Sequence, residues 1–211
     1  MSQQKKQFIK DSEKIAFDKR HRATIKFNIS KYDAAVDRGR KRYANLELAK
    51  DRASYIKSEA IARLPQYLIE FEKNSQANGA EVIWVEDAAE AIQAVQQILK
   101  DNEAKLLVKS KSMTTEEIEL NEHVEAIDVE SMETDLGEYI VQIAGEKPYH
   151  IVTPAMHKSK EDIADLFHEK FDTPEKSSPE YLTNFVRGLL RKKFTQADVG
   201  VTGANFLIAD K

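Results

Sequence analysis

KLLVKSKSMTTEEIELN, residues Lys105 to Asn121, is the stretch on which the fold turns. Leu106, Leu107 and Val108 form a short apolar run of the kind that becomes a buried strand. Lys109, Ser110, Lys111, Ser112 and Met113 then read as a loop carrying two cations and two hydroxyls. Thr114 and Glu117 stand at the spacing of a capping box, in which each side chain satisfies a free N–H of a helix's first turn. A strand, a cationic loop and a helix N-terminus together offer an anion site, or else form an ordinary β-α connection with solvated lysines. The first-turn N–H groups and the positive end of the helix dipole favour negative charge, and lysines add to that field. Neither GxxxxGK[ST] nor GxGxxG is present, so this is not one of the named phosphate loops.

Downstream of Glu81 the chain alternates short apolar runs with amphipathic stretches. Strands are expected at Val82 to Val85, Leu106 to Val108, Val124 to Val129, His150 to Val152 and Phe206 to Ala209. Helices are expected behind Asp87, Asp135, Ser159 and Ser178, each a residue type that accepts a first-turn N–H. The Ala88 to Lys100 helix presents Ala88, Ile92, Val95 and Leu99 on one face, and the Pro179 helix presents Leu182, Phe185, Val186, Leu189 and Leu190. Repeated β-α alternation predicts an α/β domain with an open, mainly parallel sheet flanked by helices. Its ligand site should lie beyond the carboxyl ends of the strands.

Upstream the pattern is helical. Helices are expected over Lys5 to Phe17, from Ser30 toward Tyr43, over Leu46 to Arg63, and from Pro65 to Asn78-Gly79. In the last of these Leu64, Tyr67, Leu68 and Phe71 form a stripe suited to docking on a core. His21 to Ile29 alternates without strong punctuation. The expected organisation is a helical, basic N-terminal extension over residues 1–63 and an α/β domain over 64–211.

The charge is distributed unevenly along the 211 residues. Residues 1–63 carry 17 Lys/Arg against 8 Asp/Glu and the remainder 15 against 28, so a segment of +9 precedes one of −13. Basic segments can hold nucleic acid or acidic protein surfaces. This one lacks the interleaved aromatics and zinc ligands of a nucleic-acid module, so solvated helix faces complementing the acidic domain are expected, with no nucleic acid. There is no cysteine, hence no disulfide, thiolate nucleophile or cysteine-held cluster in this chain. The N-terminus lacks a signal-peptide core and no apolar run reaches membrane-spanning length, which places the expected location in the cytoplasm.

Other residues carry candidate chemistry. His150 and His157 flank Pro154-Ala155-Met156, where a turn would bring imidazoles to the sheet's carboxyl edge. Their spacing is not that of a metal motif, and hydrogen-bonded loop histidines are the simpler expectation. Asp135 and Glu138 lie three apart on one helical face, suited to acid/base work, though capping alone explains Asp135. In Gly200-Val201-Thr202-Gly203-Ala204-Asn205, glycine allows close backbone approach and Asn205 could bond a polar ligand, or the segment is a tight turn. Trp84, Phe167, Phe185 and Phe206 read as core.

KSKSMTTEEIELNEHVE, ETDLGEYIVQIAGEKPYHIVTPAMHKSKEDIADLF and ADVGVTGANFLIAD, in that order, resemble the LUD domain of the bacterial lactate-utilisation iron-sulfur protein. The resemblance runs from about Tyr67 to Asp210 and more loosely through the helices before it. It implies a fold like the sugar-phosphate isomerases and CoA transferases, and membership of a multi-protein complex that oxidises L-lactate to pyruvate. Members of the family usually continue past the IAD segment to a ferredoxin-like part whose CxxCxxC ligands hold 4Fe-4S clusters. Against that pattern this sequence looks like an N-terminal portion truncated at its C-terminal end. No cofactor is expected in this chain, and the clusters are expected only in a missing C-terminal region. The partners so implied are other subunits of the lactate oxidation complex and a small carboxylate or phosphate. Self-association through an open sheet edge is a further expectation. The alternative is a stand-alone small-molecule enzyme of isomerase or CoA-transferase type, gripping its substrate with Lys109, Lys111 and the Thr114 helix end.

Overall fold

The structure, a computed structural model, describes residues 3–149 and 153–210. Four helices come first: α1 (Gln3–Ala16), α2 (Lys19–Arg40), α3 (Leu46–Ala62) and α4 (Leu64–Ala77). The α/β part follows as α5 (Ala88–Asp101), β1 (Leu106–Lys109), α6 (Met113–Glu117), α7 (Leu120–Glu125), β2 (Glu130–Glu133), α8 (Leu136–Ala144), α9 (Lys160–Phe171), α10 (Pro179–Gln196) and β3 (Val199–Val201). The sheet has the order β2-β1-β3 and every pairing in it is parallel. In the β1–β2 register Lys109 lies opposite Glu133.

Two apolar clusters hold the sheet to its helices. Leu99 of α5, Leu107 of β1, and Leu120 and Val124 of α7 form the first, with Ala104 and Val129. Tyr139 and Ile140 of α8, Ala164 and Phe167 of α9, and Leu182 and Val186 of α10 form the second, against which Met132 of β2 packs. Met132 thus faces one cluster, while Ser131 and Glu133, its neighbours along the strand, point to the opposite side as the period of two requires. This open parallel sheet covered by helices is the expected α/β class.

The helix caps follow the local chemistry. Asp87, Asp135, Ser159 and Ser178 each accept a first-turn N–H, and Ser159 forms a full capping box with Asp162. The strands depart from expectation. Val82 to Val85 is irregular and its Ile83, Trp84 and Val85 are exposed, so Trp84 is not core but donates its indole N–H to Glu72. Val124 to Val129 contains the end of α7 and a turn, and the strand begins only at Glu130. Phe206 to Ala209 is irregular and Phe206 is exposed; the last described strand is β3, which contains Gly200. The expected strand at His150 to Val152 lies outside the described residues. In the N-terminal region α2 runs through Ser30, because Asp18 caps it at His21 N–H while Ser30 Oγ donates to the Phe27 carbonyl. The stripe on α4 has no buried residue, so that helix is not docked on a core among the described residues. Arg20 pairs with Asp162 at 2.6 Å, one direct case of the basic segment meeting the acidic part.

Candidate functional site at the carboxyl end of the sheet

The last residue of β1 decides the site's chemistry. Lys109 ends the strand instead of opening the loop, and its side chain is only 1% exposed. Burying an ammonium without partners is prohibitive, so carboxylates must accompany it. Lys109 Nζ lies 2.6 Å from Glu133 Oε1, 2.7 Å from Glu116 Oε1 and 3.1 Å from Thr115 Oγ1. Asn121 Nδ2 donates to Glu133 Oε1 at 3.3 Å, and the Glu133 backbone N–H donates to Gln142 Oε1 at 3.0 Å. Asn121 Oδ1 accepts the Ser131 hydroxyl and Gln142 Nε2 donates to the Ser131 carbonyl. These bonds tie β1 and β2 to α6, α7 and α8.

Electrostatics within the cluster pull in opposite directions. Desolvation disfavours the Lys109 ammonium, but hydrogen bonds and Coulomb attraction from Glu116 and Glu133 outweigh it and raise its pKa above the ordinary lysine value. Glu133 is driven up mainly by desolvation, against the pull of Lys109. Glu138, buried on the first turn of α8, is pushed up to about 7 by desolvation first and then by the charges of Glu133 and Glu116, with Lys111 and Lys109 opposing. A carboxyl that titrates near neutrality beside a buried ion pair has the properties of an acid/base group.

The loop beyond Lys109 is held by the β3 side. Ser110 N–H donates to the Val201 carbonyl and its hydroxyl to Thr202 Oγ1, both at 2.9 Å. Gly203 passes so close to Ser112 that a Cβ there would stand 3.0 Å from Ser112 Oγ. Ser112, not Thr114, caps α6, accepting from Thr115 N–H at 3.3 Å. The Thr114–Glu117 capping box does not form because the chain turns helical one residue earlier, at Met113. The resulting helix has only five residues, and so short a segment has little dipole to offer an anion. Thr114 is exposed.

Lys111 and Asp135 meet at an open cleft of about 620 Å³. Lys111, Asp135 and Gly137 line its sheet side, Asn28, Lys31 and Tyr32 of α2 the opposite side, and Thr153 to Met156 its end. Asn28 Nδ2 donates to the Met156 carbonyl at 2.9 Å and fixes α2 there. Asp135 Oδ1 is engaged as the cap of α8, accepting from Gly137 and Glu138 N–H at 2.9 and 3.1 Å. His157 stands apart from the Lys109 cluster in its bonding: Nε2 is 2.6 Å from Glu146 Oε2 and its ring stacks on Tyr149 with centroids 4.7 Å apart. Tyr149 Oη in turn lies 2.8 Å from His21 Nε2 of α2. His150 lies outside the described residues. Asn205 is exposed.

Seven of the sequence-predicted residues divide among three settings. Lys109 and Glu138 belong to the buried cluster, Ser110, Ser112 and Gly203 to the loop contact with the β3 segment, and Lys111 and Asp135 to the cleft. Thr115, Glu116, Asn121, Glu133 and Gln142 were not anticipated. One signal pointed to them: a lysine closing an apolar run destined for burial needs carboxylates nearby. The residues of this chain do not fit a 4Fe-4S cluster, since there is no cysteine to ligate iron. Among the described residues no three His, Asp or Glu side chains converge as a metal site.

The profile of the LUD domain family matches residues 68–211. Lactate utilization protein B of Bacillus pumilus (strain SAFR-032) is 44% identical over 167 residues, which are 79% of this chain and 35% of that protein. The protein of the same name from Macrococcus caseolyticus (strain JCSC5402) is 47% identical over the same shares, and that of Bacillus cytotoxicus is 41% identical over 166 residues. The chain thus spans about a third of the length of the curated relatives it matches. No solved structure matches it. With the family profile covering the whole α/β part, from α4 through the Lys109 cluster to the β3 segment, the chain belongs to the LUD domain family.

Proposed function

We propose that this chain is the LUD-domain portion of an iron-sulfur subunit in a cytoplasmic multi-protein complex that oxidises L-lactate to pyruvate, and that it binds partners and a small anion. The similarity to Lactate utilization protein B over 79% of the chain carries this reading. The cleft supports the anion: Lys31 and Lys111 face it from two sides, at the carboxyl end where parallel sheets bind ligands. Partner binding is supported by the +9 segment and by the exposed Ile83, Trp84, Val85, Phe206, Leu207 and Ile208, which other subunits or a second copy would cover. Any clusters of such a complex are held by thiolates outside this chain. Among the described residues no helix is long and apolar enough to cross a membrane.

Titrating L-lactate, pyruvate, phosphate and a CoA thioester into the protein by calorimetry tests the anion site. A charge-assisted hydrogen bond in a partly desolvated cleft contributes about 1.5 to 3 kcal/mol, so Lys111→Ala should weaken binding by roughly tenfold or more. Lys100→Ala, on the exposed end of α5, should leave it unchanged. Equal binding by wild type and Lys111→Ala removes the cleft from the proposal. Deleting the coding sequence should abolish growth on L-lactate while sparing growth on pyruvate, and undiminished growth on lactate refutes the lactate role. A second reading, a stand-alone isomerase- or CoA-transferase-type enzyme, draws on Glu138 beside the Lys109–Glu133 pair. Turnover of a sugar phosphate or acyl-CoA by the purified chain, abolished in Glu138→Gln, would establish it.

A further inference from the structure

The helix α1 is two-sided, yet it buries none of its residues. Phe8, Ile9, Ser12, Ile15 and Ala16 follow the i, i+1, i+4, i+7, i+8 spacing that lines one side of a helix, while Lys6, Lys10 and Lys14, four apart, line the other. Every residue from Gln3 to Arg20 is exposed. Phe8 is 71% exposed and Phe17, in the turn that joins α1 to α2, is 75% exposed, with Ile9 and Ile15 open to water as well. An apolar side kept against water is unfavourable, and burial against a second surface would relieve it.

Charge selects that surface. From Gln3 to Arg22 seven Lys/Arg stand against three Asp/Glu. Two of the three acids are engaged locally: Asp11 accepts from Gln7 Nε2 within the helix, and Asp18 caps α2. Of the cations, Arg20 is taken by Asp162. The lysine excess that remains is drawn to dense negative charge. A lysine-rich polar side opposite an apolar side carrying phenylalanine is the combination that settles at the boundary between lipid headgroups and acyl chains. An acidic protein face would answer the lysines but would also need a shaped apolar pocket for each phenylalanine, whereas lipid chains adapt to them. Fourteen residues, six of them charged, are too short and too polar to cross a bilayer, so the helix would lie in its plane.

We infer that α1 docks the protein on an anionic phospholipid surface, with Phe8, Ile9, Ile15 and Phe17 inserted at the acyl boundary and the lysines held in the field of the phosphates. The contact is peripheral and reversible, because one short helix supplies it. It is separate from the cleft at Lys111 and stands whether or not that cleft binds an anion.

Co-sedimentation of the full chain with vesicles tests it, using phosphatidylcholine alone and equal parts of phosphatidylcholine and phosphatidylglycerol. The mixed vesicles should bind the protein at least tenfold more tightly than the neutral ones. A lysine near an anionic surface contributes about fivefold to partitioning, so Lys6→Gln/Lys10→Gln/Lys14→Gln should weaken binding at least tenfold. Lys50→Gln/Arg52→Gln/Lys57→Gln, which removes the same charge from exposed positions of α3, should leave it unchanged. Phe8→Ser/Phe17→Ser should also weaken it at least tenfold, since each phenylalanine loses its apolar burial. In Phe8→Trp, the added indole emission, with the Trp84 signal of the wild type subtracted, should shift to the blue on mixed vesicles. The inference falls if mixed and neutral vesicles bind alike, if the α3 variant loses as much as the lysine variant of α1, if the phenylalanine variant binds like wild type, or if the emission at position 8 does not move. Binding of soluble polyglutamate without binding of vesicles would assign the helix to an acidic protein and overturn the lipid surface.

Discussion

Replacing Lys109 with methionine removes the one cation inside the cluster while keeping most of the side chain's volume. The cost follows from where the two carboxylates can go. Glu116 is 25% exposed and can turn its oxygens toward water, whereas Glu133 at 3% cannot. The penalty therefore concentrates on Glu133, and breaking a buried pair in this way costs about 3 to 5 kcal/mol. Adding Glu133→Leu removes the stranded charge, so the double variant should recover most of the loss, with a coupling of at least about 2 kcal/mol between the sites. Equilibrium urea unfolding of the four proteins at pH 8 measures this, provided the slope with denaturant stays constant across the set. The penalty of Lys109→Met should also shrink on acidification, because a proton on Glu133 does what the ammonium did. A loss below about 1 kcal/mol for Lys109→Met, or a double variant as unstable as the two single losses added together, would refute the account of the cluster as an electrostatic unit.

Glu138 gives the stability a pH dependence of definite sign. Its folded pKa of about 7 exceeds the ordinary 4.5, so the folded state holds a proton that the unfolded chain has lost. That contribution is complete below pH 4.5 and is lost as pH rises through 7, by up to about 3 kcal/mol; Glu138→Gln should flatten this slope in urea midpoints measured across that range, and a parallel pH profile would count against it. Gly203→Ala places a Cβ 3.0 Å from Ser112 Oγ and 3.1 Å from Ser112 Cβ. Ser112 is held in place as the cap of α6 and cannot swing clear, so the melting temperature should drop by about 2 to 4 °C for about 1 kcal/mol, and an unchanged melt would mean that the loop yields.

Legibility in the sequence followed the range of the interactions. The caps at Asp87, Asp135, Ser159 and Ser178 were readable because cap and recipient N–H lie within three residues of each other. The strands were not. Glu130 to Glu133 has none of the β-branched or aromatic residues that favour strands, and Val199-Gly200-Val201 is three residues long. Each becomes a strand by pairing with β1, to which it lies far away in sequence. The more strand-like Val82 to Val85 has no partner strand among the described residues and stays irregular. At the site the loop's hydroxyls and Lys111 were legible as polar residues after an apolar run. The commitment of Lys109 was not, because its partners Glu116 and Glu133 come from a short helix and from a strand whose position the periodicity misplaced.

That commitment also bears on why the cluster is charged. A leucine at position 109 and another at 133 would pack the same space without the expense of desolvating an ammonium and a carboxylate, so stability alone does not select Lys and Glu there. Register is one thing the pair does supply. Lys109 faces Glu133 across β1 and β2, and a slip of one strand by one residue would part them and leave the two side chains on opposite faces of the sheet. Yet Leu107, fully buried in the first cluster, and Met132, packed on the second, already enforce the same register from their own faces. What no apolar substitute reproduces is the field at the carboxyl end of the sheet. A fixed ammonium there opposes the rise of the pKa of both Glu133 and Glu138. A Lys109→Met/Glu133→Leu protein that folds with wild-type stability and has lost its ligands would separate the two roles, assigning the charges to binding and leaving the fold to its apolar clusters.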